Sequence, residues 1–320
     1  MKPKSIVHGC TGQDGSYLCK SLLDQGFEVF GTSTKKTPNL ERLSKLEIAD
    51  RVQIIYCDLE NYDQTKNIIN TIKPLEIYNL SAQSSVGNSF KKPVETHKSI
   101  VSTTLNILEA CREINFKGNV FFAGSSEIFG CTKRPANLNS KIDLRNPYAT
   151  AKYQSFLISK MYREIYKVNC VTGILFNHES NLRDENFVIK KIISTSIKIK
   201  KGVENKLFLG DITIKRDWGY AKEYVEAMQL INRSKLNRDY LICTGESHSL
   251  KSIIEKVFSK LNLNWKDHLE VNKDLYRANE IESSMGDPRP IYEDLGWKSK
   301  IKIDELIQTL IDDEIKNQKI

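Results

Sequence analysis

The chain is short of most features that mark a secreted, metal-binding or nucleic-acid-binding protein. Its seven cysteines, Cys10, Cys19, Cys57, Cys111, Cys131, Cys170 and Cys243, are odd in number, scattered and without a CxxC pair. Neither a disulfide framework nor a zinc site fits that spacing, and reduced, structural thiols are expected. The five histidines, His8, His97, His178, His248 and His268, show no metal-ligand spacing, so no metal is expected. No apolar run approaches the ~20 residues of a membrane span. Met1-Lys2-Pro3-Lys4 leads straight into a short apolar strand with no signal-peptide pattern. A soluble cytoplasmic protein is the expectation. Repeats, Pro-rich linkers and low-complexity tracts are missing as well. Charge excess is modest: 48 Lys and Arg against 40 Asp and Glu leave +8 over 320 residues. The lysines are spread along the chain, and no basic run is interleaved with aromatics, which disfavours nucleic acid as a partner. Such a surface draws an anionic substrate mildly.

What is present is an alternation. Ser5-Ile6-Val7-His8 reads as a strand, Gly9-Cys10-Thr11-Gly12-Gln13-Asp14-Gly15 as a glycine-rich turn, and the stretch through Tyr17-Leu18 and Leu22-Leu23 to Gly26 as a helix. Phe27–Thr32 follows as a second strand. A GxxGxxG turn between strand and helix suits a dinucleotide. The glycines permit a tight turn and close approach of backbone to pyrophosphate, and the helix N-terminus offers N–H groups and the positive dipole end. An NAD site wants an acid at the end of the second strand. Here that strand ends Gly31-Thr32-Ser33-Thr34-Lys35-Lys36, with no acid until Glu41. Hydroxyls and lysines suit a 2′-phosphate, so NADP is favoured.

Strands are expected again at Val52–Tyr56, Ile77–Leu80, Asn119–Ala123 and Cys170–Phe176, with helices at Lys98–Ile114 and Tyr148–Tyr166. This is the pattern of a doubly wound parallel (Rossmann) sheet. It delivers Gly124-Ser125-Ser126-Glu127 at a strand's carboxyl end, where open α/β sheets bind ligands. Tyr148 and Lys152 stand four apart and share a helix face. A tyrosine normally titrates near ~10, and a lysine cation beside it favours the phenolate. The pair is a proton-transfer candidate. Asn146-Pro147 marks the helix start. From Asn177 onward the alternation loosens. Leu207–Gly210 and Tyr240–Cys243 read as short strands, the latter returning to the sheet. Leu250–Leu261 and about 304–317 read as helices. The expected division is 1–176 plus about 211–243 for the cofactor domain. About 177–210 and 244–320 form a smaller mixed cap over the substrate.

These residues together resemble extended short-chain dehydrogenase/reductases that act on nucleotide sugars. Among them, Gly12-Gln13-Asp14-Gly15-Ser16-Tyr17-Leu18, Ile77-Tyr78-Asn79-Leu80, Asn177-His178-Glu179-Ser180, Lys215-Arg216-Asp217-Trp218-Gly219 and Thr244-Gly245-Glu246 resemble the GDP-mannose 4,6-dehydratase family. The likeness runs over roughly residues 4 to 315. It implies a catalytic set of Ser125, Ser126, Glu127, Tyr148 and Lys152, with Ser125 where the family has Thr. NADP contacts are implied at Gly9, Thr11, Gly12, Gln13, Asp14, Gly15, Lys35, Asp58, Leu59, Leu80, Ala82, Ser84, Tyr148, Lys152, His178 and Arg183. Contacts to GDP-mannose or a related GDP-sugar are implied at Ser85, Asn177, Asn186, Val188, Lys191, Arg216, Arg277 and Glu280. The family's arginine pair after the second strand is Thr34-Lys35 here, the loop after it is shorter, a cofactor-touching Tyr is Glu95, and the Pro after Arg277 is Ala278. The implied reaction is internal redox elimination giving a 4-keto-6-deoxy sugar nucleotide. The alternatives are a 4-epimerase or 4-ketoreductase of the same fold, and a non-catalytic NADP-binding regulator. A homodimer is expected through the Lys98–Ile114 and Tyr148–Tyr166 helices, with a tetramer as the alternative assembly. A GDP-heptose of the same stereochemistry would present the same C4 to C6 chemistry.

Overall fold

Seven short apolar segments form a single parallel sheet in the computed structural model, which describes residues 2–276 and 279–317. They are β1 (Lys4–His8), β2 (Glu28–Ser33), β3 (Gln53–Tyr56), β4 (Glu76–Asn79), β5 (Asn119–Ser125), β6 (Cys170–Leu175) and β7 (Tyr240–Ile242). Their spatial order is β7-β6-β5-β4-β1-β2-β3, and every pairing is parallel. The chain therefore winds outward from β1 to β3, crosses back to β4 beside β1, and winds out the other way. That reversal opens a crevice at the carboxyl ends of β1 and β4. The strands expected from sequence are all found within a residue or two of their bounds, and the segment 240–243 does return to the sheet.

Strand periodicity sorts the core into two layers. Ile6, Ile77, Val120 and Phe122 face one way, against Ile69, Ile72, Ile107, Leu108, Cys111 and Tyr162. These come from helices Tyr62–Ile72, Thr103–Glu113 and Pro147–Glu164. Val7, Tyr78, Phe121 and Ile242 face the other way, against Leu18 and Leu22 of helix Gln13–Asp24 and Val225, Met228 and Ile231 of helix Ala221–Arg233. All seven cysteines are unpaired in the structure, and six of them are buried.

The expected helix over Lys98–Ile114 differs. It is assembled from Pro93–His97, a wide π turn Lys98–Ser102, and Thr103–Glu113. Hydroxyls supply the reason. Thr103 donates to the Ser99 carbonyl at 2.8 Å, and Thr104 and Ser155 both donate to the Ile100 carbonyl at 2.8 and 3.2 Å. Such side-chain bonds compete with the helical ladder and widen it. The widened turn puts Ile100 against Tyr148 and Ala151, so it helps to seat the candidate catalytic tyrosine. At the other end of that helix, Arg163 grips Asp239 bidentately at 2.8 and 2.6 Å and so ties the helix to the entrance of β7.

A separate apolar cluster gathers Ile189, Ile192, Ile193 and Ile197 with Leu207, Leu209, Trp218, Ile253, Ile254, Val257, Phe258, Leu306, Ile307 and Leu310. Helix Val188–Lys200 forms its middle and was not expected from sequence. The run Val188-Ile-Lys-Lys-Ile-Ile-Ser-Thr-Ser-Ile-Lys-Ile-Lys200 is rich in β-branched residues, which disfavour helix by up to ~0.7 kcal/mol each. Burying an isoleucine contributes about 1.5–3 kcal/mol, and five are buried here: Ile189, Ile192, Ile193, Ile197 and Ile199. Tertiary burial outweighs local preference.

Candidate active site

Glycines shape the floor of the crevice. Gly9 adopts φ +81, and a side chain there would strike the Leu80 carbonyl carbon at 2.7 Å. The turn after β1 therefore lies directly on the Leu80–Ser81 backbone at the end of β4. At Gly15 a Cβ would stand 2.1 Å from the Gly9 carbonyl oxygen, so the helix is drawn tight onto the turn. Gly12 is the N-cap of helix Gln13–Asp24, and no side chain caps the first-turn N–H groups. Those donors face the crevice as an anion receptor. Ala82 carries φ +133, a strained value for a residue with a Cβ, on the segment that crosses this floor.

The other implied cofactor residues surround the turn. Asp58 accepts from the Glu60 N–H at 3.0 Å, and Leu59 is buried beside it. Lys35 is exposed, its backbone N–H held by Ser33 Oγ at 3.0 Å. Thr11 is half-buried and Ser84 exposed. Sequence reading missed Arg42. Its guanidinium donates to the Thr11 carbonyl at 3.0 Å and the Leu182 carbonyl at 2.7 Å and also grips Asp184, clamping the glycine turn to the segment Leu182–Asp184. Nothing in the local pattern around Arg42 announces that reach of 140 positions.

The chemical groups stand on the wall. Strand β5 delivers Ser125, Ser126 and Glu127 at its carboxyl end, the two serines buried and Glu127 half-buried. Ser125 Oγ accepts from the Glu127 N–H at 3.3 Å, and Ser125 lies near enough to the Tyr148 phenol to pull its pKa down. Asn146 joins the two halves. Its Oδ1 accepts from Ala149 N at 2.7 Å, capping the helix that carries Tyr148 and Lys152. Its Nδ2 donates to Glu127 Oε2 at 2.9 Å. The cap fixes which end of the amide is oxygen, so the remaining NH₂ must face the carboxylate. Sequence reading took Asn146 as a helix start only.

Tyr148 and Lys152 differ from the simple expectation of a phenol beside an ammonium. Lys152 Nζ lies 5.7 Å from the Tyr148 ring centroid and donates to the Ala123 carbonyl at 2.8 Å. Burial pushes the Tyr148 phenol up to about 12; the Ser125 hydrogen bond and the Arg183 charge pull down, and Glu127 and Asp14 push up. Burial also lowers Lys152 to about 8. The protein thus holds both groups in reserve, each desolvated toward its neutral form.

The implied sugar-nucleotide residues are more dispersed. Asn177 is half-buried on the short strand Asn177–Glu179. Ser85 caps helix Val86–Lys91 through Asn88 N at 3.3 Å. Asn186 is exposed, Val188 opens its helix half-buried, and Lys191 Nζ donates to the Phe208 carbonyl at 2.8 Å. Arg216 is 5% exposed and bonds the Ile281 carbonyl at 2.6 Å and Glu280 at 2.8 Å, so it meets any ligand already held. Arg277 and Ala278 lie outside the described residues. Glu95 is exposed and pairs with Lys92 at 3.7 Å. Among the described residues no group of acids, histidines or cysteines could hold a metal ion, and no helix is long and apolar enough to cross a membrane.

A doubly wound sheet with a glycine turn at its reversal, and a tyrosine, lysine and carboxylate on the adjoining wall, defines an enzyme of the extended short-chain dehydrogenase/reductase class. Solved structures agree on the fold. Pal from Bacillus thuringiensis superposes with a TM-score of 0.87 at 18% identity, covering 98% of this chain and 99% of that one. dTDP-glucose 4,6-dehydratase from Bacillus anthracis, in complex with NAD, gives 0.84 at 15% identity over 99% and 98%. The family model described as GDP-mannose 4,6 dehydratase matches residues 6–310. GDP-mannose 4,6 dehydratase 1 of Arabidopsis thaliana is 39% identical, with 100% of this chain and 92% of the relative covered. The Homo sapiens GDP-mannose 4,6 dehydratase is 36% identical over 97% and 91%. The chain belongs to the GDP-mannose 4,6-dehydratase family.

Proposed function

We propose that this protein is a hydro-lyase that converts GDP-mannose to GDP-4-keto-6-deoxymannose, with NADP held on the glycine turn. One observation carries the reading: a carboxylate, Glu127, held by Asn146 beside the buried Tyr148. Epimerases and reductases of this fold need the tyrosine and lysine but no base for C5. The uncapped helix N-terminus at Gly12, the close-packed Gly9 and the lysine at position 35 fit a dinucleotide with a 2′-phosphate. Held on the Gly9–Gly15 turn, the cofactor would supply the hydride acceptor for sugar C4 and the hydride donor for C6. Tyr148 accepts the C4 hydroxyl proton. Lys152, charged below about pH 8, supplies the field that makes phenolate accessible. With a ketone at C4 the C5–H is acidic; Glu127 takes that proton and passes it to the departing C6 hydroxyl, which leaves as water, and C5 regains a solvent-exchanged proton through Glu127 as C6 receives hydride. Asn146 keeps the Glu127 carboxylate oriented through both steps.

The finer parts of the reading have separate supports. Arg216, Glu280, Lys191, Val188, Asn186, Asn177, Ser85 and Arg277 would receive the nucleotide sugar. NADP rather than NAD follows from the acid-free end of β2; tighter NAD(H) binding that is indifferent to Lys35→Ala would overturn it. The division into a cofactor domain and a cap is supported by the separate apolar cluster around Val188–Lys200. Leu105 and Leu157, exposed on helices Thr103–Glu113 and Pro147–Glu164, suit a homodimer in the cytoplasm. Light scattering that returned a tight tetramer would contradict the dimer. The activity itself is tested by incubating purified protein with a panel of GDP-, UDP-, dTDP- and CDP-sugars. Dehydration of GDP-mannose is expected; a C4 epimer or a 4-hydroxy product would replace the assignment.

A further inference from the structure

We propose that Asp14 and His178 form a one-proton pair that keeps the cofactor turn electrically neutral, letting a carboxylate stand in the first turn of a helix whose N-terminus receives a diphosphate. The inference rests on placing the cofactor diphosphate at the Gly9–Gly15 turn.

The difficulty it resolves is electrostatic. The N-terminus of helix Gln13–Asp24 is where the dipole and free N–H groups favour an anion. Asp14, an anion of the protein's own, occupies the first turn. Left bare, it would repel the ligand that the turn is shaped to hold.

Hydrogen-bond directions fix its state. One end of the Gln13 side-chain amide lies 3.3 Å from the His178 carbonyl, an acceptor only, so that end is NH₂, and it donates to Asp14 Oδ1 at 3.0 Å as well. The Gln13 oxygen then accepts from the Ser180 hydroxyl at 2.8 Å, while Ser180 Oγ accepts from Leu182 N at 3.2 Å. His178 Nδ1 lies 2.7 Å from the Phe176 carbonyl, an acceptor only, so Nδ1 carries a proton. Its Nε2 lies 2.9 Å from Asp14 Oδ2. One further proton sits on that last contact. Imidazole is more basic than carboxylate by about 2.6 units in their ordinary ranges, so the proton resides on His178. The imidazolium also lies against the Tyr224 ring, centroids 4.6 Å apart, a face that attracts a cation. Gly219 makes room for that ring: a Cβ there would meet it at 2.3 Å.

The charged neighbours act in the same sense. Burial alone would lower His178, but the Asp14 charge and hydrogen bond outweigh burial and the opposing Arg183 cation, and its pKa is raised. Burial alone would raise Asp14; His178, Arg183 and the Gln13 bond outweigh it, and its pKa is lowered. The other titratable groups facing the pair are Glu179, ion-paired with Arg183 at 3.6 Å, and the phenols of Tyr17, Tyr148 and Tyr224. The sign follows. The His178 charge is complete below its ordinary 6.5 and is lost as pH rises through the higher folded value. The Asp14 charge is present above its ordinary 3.8 and is lost as pH falls through the lower folded value. Above that window the turn gains one net negative charge, and cofactor affinity falls.

The test is a cofactor-binding cycle with a direct reading of protonation. At pH 7, His178→Gln is expected to weaken NADP(H) binding about tenfold, the scale of one uncompensated charge nearby. Adding Asp14→Asn in that background is expected to restore most of the loss. Failure of Asp14→Asn to tighten binding there overturns the pairing, because His178 would then act by its own contact. Nitrogen-15 NMR of histidine-labelled native protein at pH 7 is expected to show both His178 ring nitrogens protonated; a neutral tautomer overturns it without any mutation. Gly12→Asp separates the underlying site reading. The position has φ −76, open to any side chain, and a Cβ there would meet the Gly9 carbonyl oxygen at 3.2 Å, a contact relieved by a shift of a few tenths of an ångström; a carboxylate at this N-cap takes the first-turn N–H groups for itself and has no imidazolium to neutralise it, so binding should be abolished. Native-like binding by Gly12→Asp refutes the cofactor placement itself. Lost binding in Gly12→Asp without a defect in His178→Gln refutes only the pair.

Discussion

The two sides of the crevice are built differently. On the chemical side the supporting contacts are protein to protein. Asn146 caps the helix of Tyr148 and holds Glu127, Ser125 Oγ accepts from the Glu127 N–H, and Lys152 rests on the Ala123 carbonyl. The candidate proton-moving groups stand on the end of β5 and one adjoining helix, joined through Asn146. On the side proposed to receive the nucleotide sugar the cations are spent on backbone carbonyls and an acid: Lys191 on Phe208, and Arg216 on Ile281 and Glu280. The difference teaches that chemistry here is preorganised, whereas substrate binding must share or redirect existing bonds. Damage to the first side should appear in turnover, and damage to the second in apparent affinity.

The largest expected effect is Tyr148→Phe. It removes the proposed base for the first proton, so substrate should leave the bound nicotinamide cofactor oxidised and turnover should fall by ~10³ or more, within the range for a lost general base and electrostatic partner. Thermal unfolding should move little, because the buried ring remains. A variant that still reduces the cofactor would break the comparison at its base.

Asn146→Ser sharpens it. Serine keeps the helix cap but cannot also reach the Glu127 carboxylate. We expect kcat to fall about tenfold with KM unchanged, the signature of support lost only in the transition state. Asn146→Asp also keeps the cap but sets a second carboxylate against Glu127. It should move the acid limb of kcat upward in pH. Equal loss of melting temperature and activity in both variants would reduce Asn146 to a structural cap.

Glu280→Gln should act oppositely. Weakening the partner of Arg216 should alter KM several-fold and leave kcat near native. Smallest is the pH effect of Lys152. With its pKa lowered to about 8 by burial, its charge is present below pH 8 and lost above it. An alkaline fall in kcat/KM near that value is expected in the free enzyme. A flat profile to pH 10 would remove Lys152 from the phenol's activation.

How much of this was legible depended on whether the signal was local. The strand–turn–helix at Ser5–Gly26 is written in consecutive residues, and so are the later strands of the sheet. Tyr148 and Lys152 announce themselves by helical spacing, and Glu127 by standing at a strand's carboxyl end. The second half was read less well. Val188–Lys200 was assigned no element and is a helix, because five buried isoleucines outweigh their own preference. Helices Tyr62–Ile72 and Ala221–Arg233 were passed over between stronger markers. Arg42 and Asn146 were missed as functional residues for another reason. Each works through a partner that only folding brings near, at Thr11 and Leu182 for the first and at Glu127 for the second. The π turn before Thr103 belongs to the same class, since it takes Ser155 from another helix to widen it.

The most direct test of the account follows the C5 proton. GDP-mannose is incubated in deuterium oxide with native protein and with Glu127→Gln, and the product is read by NMR and mass spectrometry. The expected result is a 4-keto-6-deoxy product from the native enzyme, with solvent deuterium at C5 and the C4 hydrogen transferred to C6. Glu127→Gln should lose C5 exchange and dehydration by ~10²–10⁴ while still reducing bound cofactor. If Glu127→Gln dehydrates and exchanges at the native rate, Glu127 is not the base. If the native enzyme returns only a C4 epimer, the dehydratase reading fails.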